Sequence, residues 1–200
     1  MKIVIKIFRM IKPYLFVLII VGVLQITGQL GNVVSFGQAA VLKTGVLNAD
    51  DDRNVQEDEE DFDFNFKAFT PDGQPLSMDS LKDKVVFFNI WATWCGPCRA
   101  EMPTIQELYA QNKNPNIVFV LLSVDQGPNA NKKVKDYLAK YQYNLPVYIH
   151  NTVPSGQLAV PGVPTTYIIS KAGKIVRTEI GMKNYNTERF KKFLARLAAE

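Results

Sequence analysis

Two cysteines and one histidine are all that 200 residues offer to a soft metal or to thiol chemistry. A structural zinc site needs four ligands, usually two cysteine pairs or one pair plus histidines. With no third cysteine and His150 as the only imidazole, at the end of an apolar run where it reads as a loop-edge residue, zinc is not the expected role of the pair. The absence of cysteine between residues 20 and 40 excludes a lipid-modified N-terminus there. Charge is missing from residues 13–42, and apolar side chains are nearly missing from 50–63, where nine acids meet the single Arg53. No internal repeat or low-complexity core is present.

The chargeless stretch has a physical meaning. Thirty uncharged residues would span about 45 Å as a helix, more than the roughly 30 Å of a bilayer's hydrocarbon layer. Gly28, Gly31, Asn32 and Gly37 dilute its second half, which places the expected membrane core at 13–34. Lys2, Lys6, Arg9 and Lys12 precede it, and the positive-inside rule keeps them in the cytoplasm, so the chain from about residue 43 faces outward. A cleaved signal peptide is the alternative, with Gly37-Gln38-Ala39 as its small-x-small triplet. Both readings export the C-terminal part of the chain. The acidic run is too charged and too poor in apolar residues to pack, and reads as a solvated tether.

Beyond the tether the balance reverses: from residue 64 on, seventeen basic side chains meet ten acidic ones. The lysines at 132, 133, 135, 191 and 192 fall on polar helix faces of an exported domain, which argues against a nucleic-acid role.

Both cysteines lie in Trp94-Cys95-Gly96-Pro97-Cys98, directly after an apolar run at 85–91. Two intervening residues let both sulfurs sit on the first turn of one helix, close enough to close a small disulfide ring. Proline is tolerated in a first helical turn, where its missing N–H would be unpaired anyway. Cys95 then sits at a helix N-terminus, where free amides and the helix dipole favour the thiolate, the form that attacks disulfides.

Together with Asp72-Gly73, the flanks Asn89 to Trp91 and Arg99 to Pro103, and Val163-Pro164-Thr165, the motif resembles the TlpA/ResA-type branch of the thioredoxin superfamily, over roughly residues 62–200. These are membrane-tethered thiol-disulfide oxidoreductases. The resemblance implies a thioredoxin-like α/β fold, a central mixed sheet flanked by helices, with an added N-terminal β-hairpin and one preceding transmembrane helix. The division expected is 1–43 basic segment and anchor, 44–61 acidic tether, and 62–200 thioredoxin-like domain.

Pattern alone places the elements. Phe62, Phe64 and Phe66 alternate with polar neighbours as a half-buried strand would, and Pro71-Asp72-Gly73 is a turn before a second short strand at 74–77. Residues 85–90 form an apolar run suited to a central strand buried on both faces. A helix over 99–111 kinks at Pro103. Next come a strand at 117–124, a helix capped by Asn129 or Asn131 and running to about 141, a strand at 146–149, a loop over 152–163, strands at 165–169 and 174–180, and a helix at 188–198 capped by Thr187.

Cys95 is the expected attacking thiol and Cys98 the resolving thiol. Glu101, three residues after Cys98 and so on the same helix face, is the candidate base for Cys98, a role that the resemblance supports; Asn89 stands where cytoplasmic thioredoxins carry a buried aspartate. A first-turn glutamate held by the helix dipole is the alternative reading of Glu101. Pro164 resembles the superfamily's cis-proline, and Val163 before it the residue whose backbone pairs with a bound substrate strand. Trp94 would wall the active-site surface.

The implied function is reduction of disulfides in exported proteins by a membrane-anchored dithiol enzyme. It needs no cofactor and no metal, is recharged by a membrane thiol electron donor, and has cytochrome c maturation as one plausible pathway. A disulfide oxidase or isomerase is the same-class alternative, and a non-enzymatic tethered client-binding module the other.

Overall fold

The computed structural model describes residues 2–27, 29–49, 60–150 and 156–200 and, within the first two helices, all side chains but those of residues 2–11, 13, 32, 36 and 43. The acidic run at 50–59 and residues 151–155 of the expected loop lie outside the described residues.

Strand β1 (Val85–Trp91) is buried at every position, as its unbroken apolar run requires. It pairs in parallel with β2 (Ile117–Ser123), which pairs in parallel with β3 (Val147–Ile149). On its other edge β1 meets β4 (Thr165–Ile169) antiparallel, and β4 meets β5 (Ile175–Ile180) antiparallel, giving the sheet order β3-β2-β1-β4-β5. Helix α3 (Gly96–Gln111) connects β1 to β2, α4 (Ala130–Tyr141) connects β2 to β3, and α5 (Glu188–Ala199) follows β5. This is a thioredoxin-like α/β arrangement. The expected cap of α5 is present, with the Thr187 hydroxyl accepting from the Phe190 N–H at 3.1 Å; Asn129 precedes α4 without a side-chain cap bond.

Alternation along β1 divides the core. Val85, Phe87 and Trp91 join Met102, Ile105 and Leu108 of α3, Val134 and Tyr137 of α4, and Phe190, Leu194 and Leu197 of α5. Val86, Phe88 and Ile90 face the opposite way, onto Phe62, Ala68, Leu76 and Leu81. Asn89 is the one polar residue on the helix-facing side of β1, and it is fully buried.

The expected N-terminal hairpin takes a different form. Residues 62–66 make no strand: the Asn65 N–H bonds the Asp63 carboxylate at 2.8 Å and the Phe66 N–H bonds the Phe64 carbonyl at 2.9 Å. Such local turns divert donors that a ladder would need. What remains are isolated antiparallel bridges, Asp61 to Lys174, Phe69 to Pro75 and Phe69 to Ile149, and a tight loop in which Thr70 N–H meets Gln74 O at 2.7 Å and Leu76 N–H meets Ala68 O at 2.8 Å. Gly73 sits at its tip with φ of +87°.

The N-terminal region is helical in two pieces, α1 (Lys2–Ile26) and α2 (Leu30–Lys43). Near the break the Thr27 hydroxyl bonds back to the Val23 carbonyl at 2.8 Å. Side chains from Tyr14 to Ile20 are exposed, Tyr14 by 72%. Among the described residues no helix is long and apolar enough to cross a membrane. Helix α2, counted by sequence with the anchor, packs along α3 and buries Ser35 and Leu42. Residues 47–49, at the start of the expected tether, dock on the domain instead of standing in solvent: Ala49 N–H bonds Asn184 O at 3.1 Å and Asn184 N–H bonds Leu47 O at 2.8 Å.

Candidate active site

The chain leaves β1 at Trp91, turns, and enters α3 with Cys95 as its N-cap and proline in the first turn. Cys95 and Cys98 form a disulfide with Cα atoms 5.3 Å apart. The Cys98 N–H donates to Cys95 Sγ at 3.1 Å. A sulfur there receives a helix-terminal amide, so the same geometry stabilises negative charge on Cys95 when the pair is reduced. Cys95 keeps 5% exposure and Cys98 none, so a partner disulfide can reach only the first sulfur.

Opposite the pair, the Val163–Pro164 peptide bond is cis. The Val163 carbonyl oxygen lies 3.5 Å from Cys95 Sγ. Trp94 is 67% exposed and shares with Val163 the rim of a cleft of about 790 Å³ that also takes in Val124, Gln126, Lys133 and Val160. The structure therefore brings Trp94, Cys95, Cys98, Val163 and Pro164 to one place.

Glu101 lies one turn deeper and belongs to another environment. It is fully buried, accepting from Asn89 Nδ2 at 2.9 Å and from the Lys183 backbone N–H at 3.2 Å. Burial pushes its carboxyl up to about 8; the two donated hydrogen bonds pull the other way, and the neighbouring Glu179 carboxylate adds to the rise. A buried carboxyl held near neutrality can take a proton from a shielded thiol and release it again. The solvated first-turn glutamate is thereby set aside.

Several residues went unnoticed in the sequence. Asp125 is 2% exposed and accepts from the Thr93 N–H at 2.8 Å, the Thr93 hydroxyl at 2.6 Å and the Ser123 hydroxyl at 2.8 Å. It clamps the turn that presents the dithiol to the end of β2. A carboxylate just past the C-terminal end of a buried parallel strand, where such folds collect ligands, was the available signal. Thr166 accepts from Asn89 Nδ2 and from the Tyr185 hydroxyl, both at 2.8 Å, and only strand register could have revealed it. Helix α2 approaches the motif itself: Ser35 Oγ lies 3.5 Å from Gly96 O, and a Cβ on Gly96 would stand 3.4 Å from Gln38 Oε1. Among the described residues no group of three or more His, Cys, Asp or Glu side chains could hold a metal ion.

Comparison with known proteins agrees with this geometry. The sequence profile of the Redoxin family matches residues 56–194. The thiol-disulfide oxidoreductase ResA of Bacillus cereus is 36% identical over 118 residues, which are 58% of this chain and 66% of that protein. ResA of Oceanobacillus iheyensis is 33% identical over 141 residues, covering 68% and 72%. The match thus spans just under two thirds of the Bacillus cereus relative's length. Among solved structures, a thiol:disulfide interchange protein of the thioredoxin family from Chlorobium tepidum superposes with a TM-score of 0.54 at 26% identity, covering 66% of this chain and 92% of that one.

Proposed function

We propose, from the premise that this chain belongs to the Redoxin family and is of the ResA/TlpA type within the thioredoxin superfamily, that it is a thiol-disulfide oxidoreductase that reduces disulfides of exported proteins. The observation that carries this reading is the disulfide itself: a nearly buried Cys95–Cys98 pair at a helix N-terminus, 3.5 Å from the carbonyl that precedes a cis-proline.

The chemistry is two thiol-disulfide exchanges. In the reduced enzyme the Cys95 thiolate attacks one sulfur of a partner disulfide; a new S–S bond forms and the partner's second sulfur leaves as thiolate. Cys98 gives its proton to Glu101 and attacks Cys95 Sγ, expelling the partner's remaining sulfur. The partner ends as a dithiol, the enzyme as the disulfide seen here, and a membrane dithiol donor supplies the two electrons for the next cycle. Val163 and Pro164 align the partner strand, and Trp94 walls its approach.

The potential of the pair decides direction. Equilibrating the full chain in detergent with defined thiol-disulfide buffers is expected to give a value near that of reducing thioredoxins, about −270 mV; one near −120 mV, that of a strong oxidant, would reverse the direction and favour the oxidase alternative. Intact cellular function after loss of both cysteines would leave only the tethered binding module.

The anchor belongs to the same proposal. Four basic residues followed by an uncharged stretch in α1, and exposed apolar side chains from Tyr14 to Ile20, favour a single span with the N-terminus in the cytoplasm. The full chain is expected to stay with membranes through alkaline carbonate washing, at the mass of the uncleaved protein. Release into the wash at a mass shortened by about forty residues would favour the cleaved signal peptide.

A further inference from the structure

Behind Glu101 lies a second set of buried charges that the exchange chemistry does not use. The register aligns Asn89 of β1 with Thr166 of β4, and Thr166 with Glu179 of β5. The three form one polar row across the sheet, each at most 1% exposed, beneath the turn of α3 that carries Glu101. Glu179 is 3.4 Å from Lys183 Nζ and 3.9 Å from Arg177 Nη1, and both cations are themselves more than nine-tenths buried. Lys183 touches both carboxylates: its backbone N–H donates to Glu101 Oε2 at 3.2 Å, while its ammonium faces Glu179 Oε2.

We propose that Glu179 and Lys183 are positioning residues that set the ionisation of Glu101, Lys183 by linking the two carboxylates and Glu179 by placing a second negative charge beside the first. The net charge of the cluster gives the reason. Glu179, Arg177 and Lys183 together carry one net positive charge. When Glu101 is ionised the group of four is neutral, and when Glu101 holds a proton the group keeps one positive charge. The buried cations thus oppose, and the Glu179 carboxylate favours, uptake of a proton by Glu101, so the two opposite influences hold its carboxyl between the extremes of always charged and always neutral. The other groups facing Glu101 do not compete. Asn89 and Thr166 do not titrate, and Tyr185, whose hydroxyl donates to Thr166, is held well above its ordinary value by burial, so it stays neutral.

Opposite-signed effects test this. The readout is the 13C carboxyl titration of Glu101 in the oxidised full chain in detergent micelles, where neither cysteine titrates; its resonance is assigned by its loss in Glu101→Gln. Glu179→Gln removes a repelling charge and is expected to lower the Glu101 midpoint by about one pH unit, while Lys183→Met, which keeps the backbone donor, raises it by a similar amount. The double variant returns it toward the wild-type value. Midpoints that stay put in both single variants, or move in the same direction, would overturn the proposal.

Removing one member of a buried ion cluster can prevent folding, so a second measurement uses the wild type. The Glu179 carboxyl resonance is expected to step at the Glu101 midpoint and to lose that step in Glu101→Gln; a flat Glu179 resonance would equally overturn the proposal. The proposal rests on the oxidoreductase reading only for its purpose. The titration needs no partner and no turnover, whereas that reading fails separately if the reduced wild type cannot reduce a protein disulfide.

Discussion

Cys98→Ser is expected to accumulate a covalent complex with its partner, whereas Cys95→Ser forms none. The difference stems from exposure. Cys95 Sγ keeps some exposure beside the Trp94 rim, and the first exchange requires only that sulfur; Cys98 is fully buried and bonded to Cys95. Without the Cys98 thiol the mixed disulfide has no internal thiol to resolve it, and its decay waits for an external thiol to enter a site that admits little. Multiple turnover should fall by more than about 10³-fold in either variant, since the two sulfurs act as a unit and their losses are not additive. Non-reducing electrophoresis of membranes from cells carrying each variant makes the measurement. A trapped species in Cys95→Ser, or none in Cys98→Ser while turnover is lost, would mean that the order of attack is reversed. Serine in place of cysteine is a small change in volume, so loss of folding is not expected to cloud the result.

How legible a residue's role was in the sequence depended on whether its neighbours in space were also close along the chain. Strand β1 announced itself because a strand buried on both faces must be apolar throughout, and α3 because its cap, its proline and its cysteines occupy consecutive positions. Cys95, Cys98 and Glu101 share one helical turn and its successor, so spacing put them on one helix face and the resemblance suggested the role of Glu101. The row Asn89, Thr166, Glu179 is invisible to any such reading, since its members come from three strands and meet only through register. Its one local trace was in β5, where Arg177 and Glu179 stand two apart and hence share a face; two opposite charges in that relation read as an ordinary exposed pair. Residues 62–66 misled for the opposite reason. Their alternation is that of a strand, yet Asp63 and Phe64 capture the nearby amides, so the phenylalanines cover the sheet without joining it. Helix α2 marks a third limit: hydropathy measures the absence of charge, and α2, which packs along α3 and buries Ser35 and Leu42, has the same lack of charge that suits a lipid-facing helix.

Glu101→Gln is expected to make the protein slower and, at alkaline pH, more stable. The carboxyl stands at about 8 in the folded state, raised from 4.5 chiefly by burial. Below about pH 4.5 folded and unfolded chains both hold the proton and the group is neutral in each. As pH rises toward 8 the unfolded chain releases its proton while the folded chain keeps it, so unfolding is progressively favoured, by about 1.4 kcal/mol per pH unit. Above 8 the full penalty stands, on the order of 5 kcal/mol. Glutamine has no proton to release, retains an oxygen for the Asn89 and Lys183 donors, and should flatten this slope. Urea unfolding at pH 5, 7 and 9 reads it directly: wild type and variant converge at pH 5, and the variant gains at pH 9. The chemical step moves the other way. With no carboxylate to accept the Cys98 proton, resolution of the mixed disulfide should slow by about 10² or more near neutrality, and the rise in its rate as Glu101 ionises toward pH 8 should disappear. An unchanged slope in the variant would place the titration elsewhere, and an unchanged resolution rate would remove Glu101 from the reaction. Gain of stability with loss of rate, from one neutral-for-acid exchange, would mark Glu101 as a group whose burial costs stability and whose ionised form serves the resolving thiol.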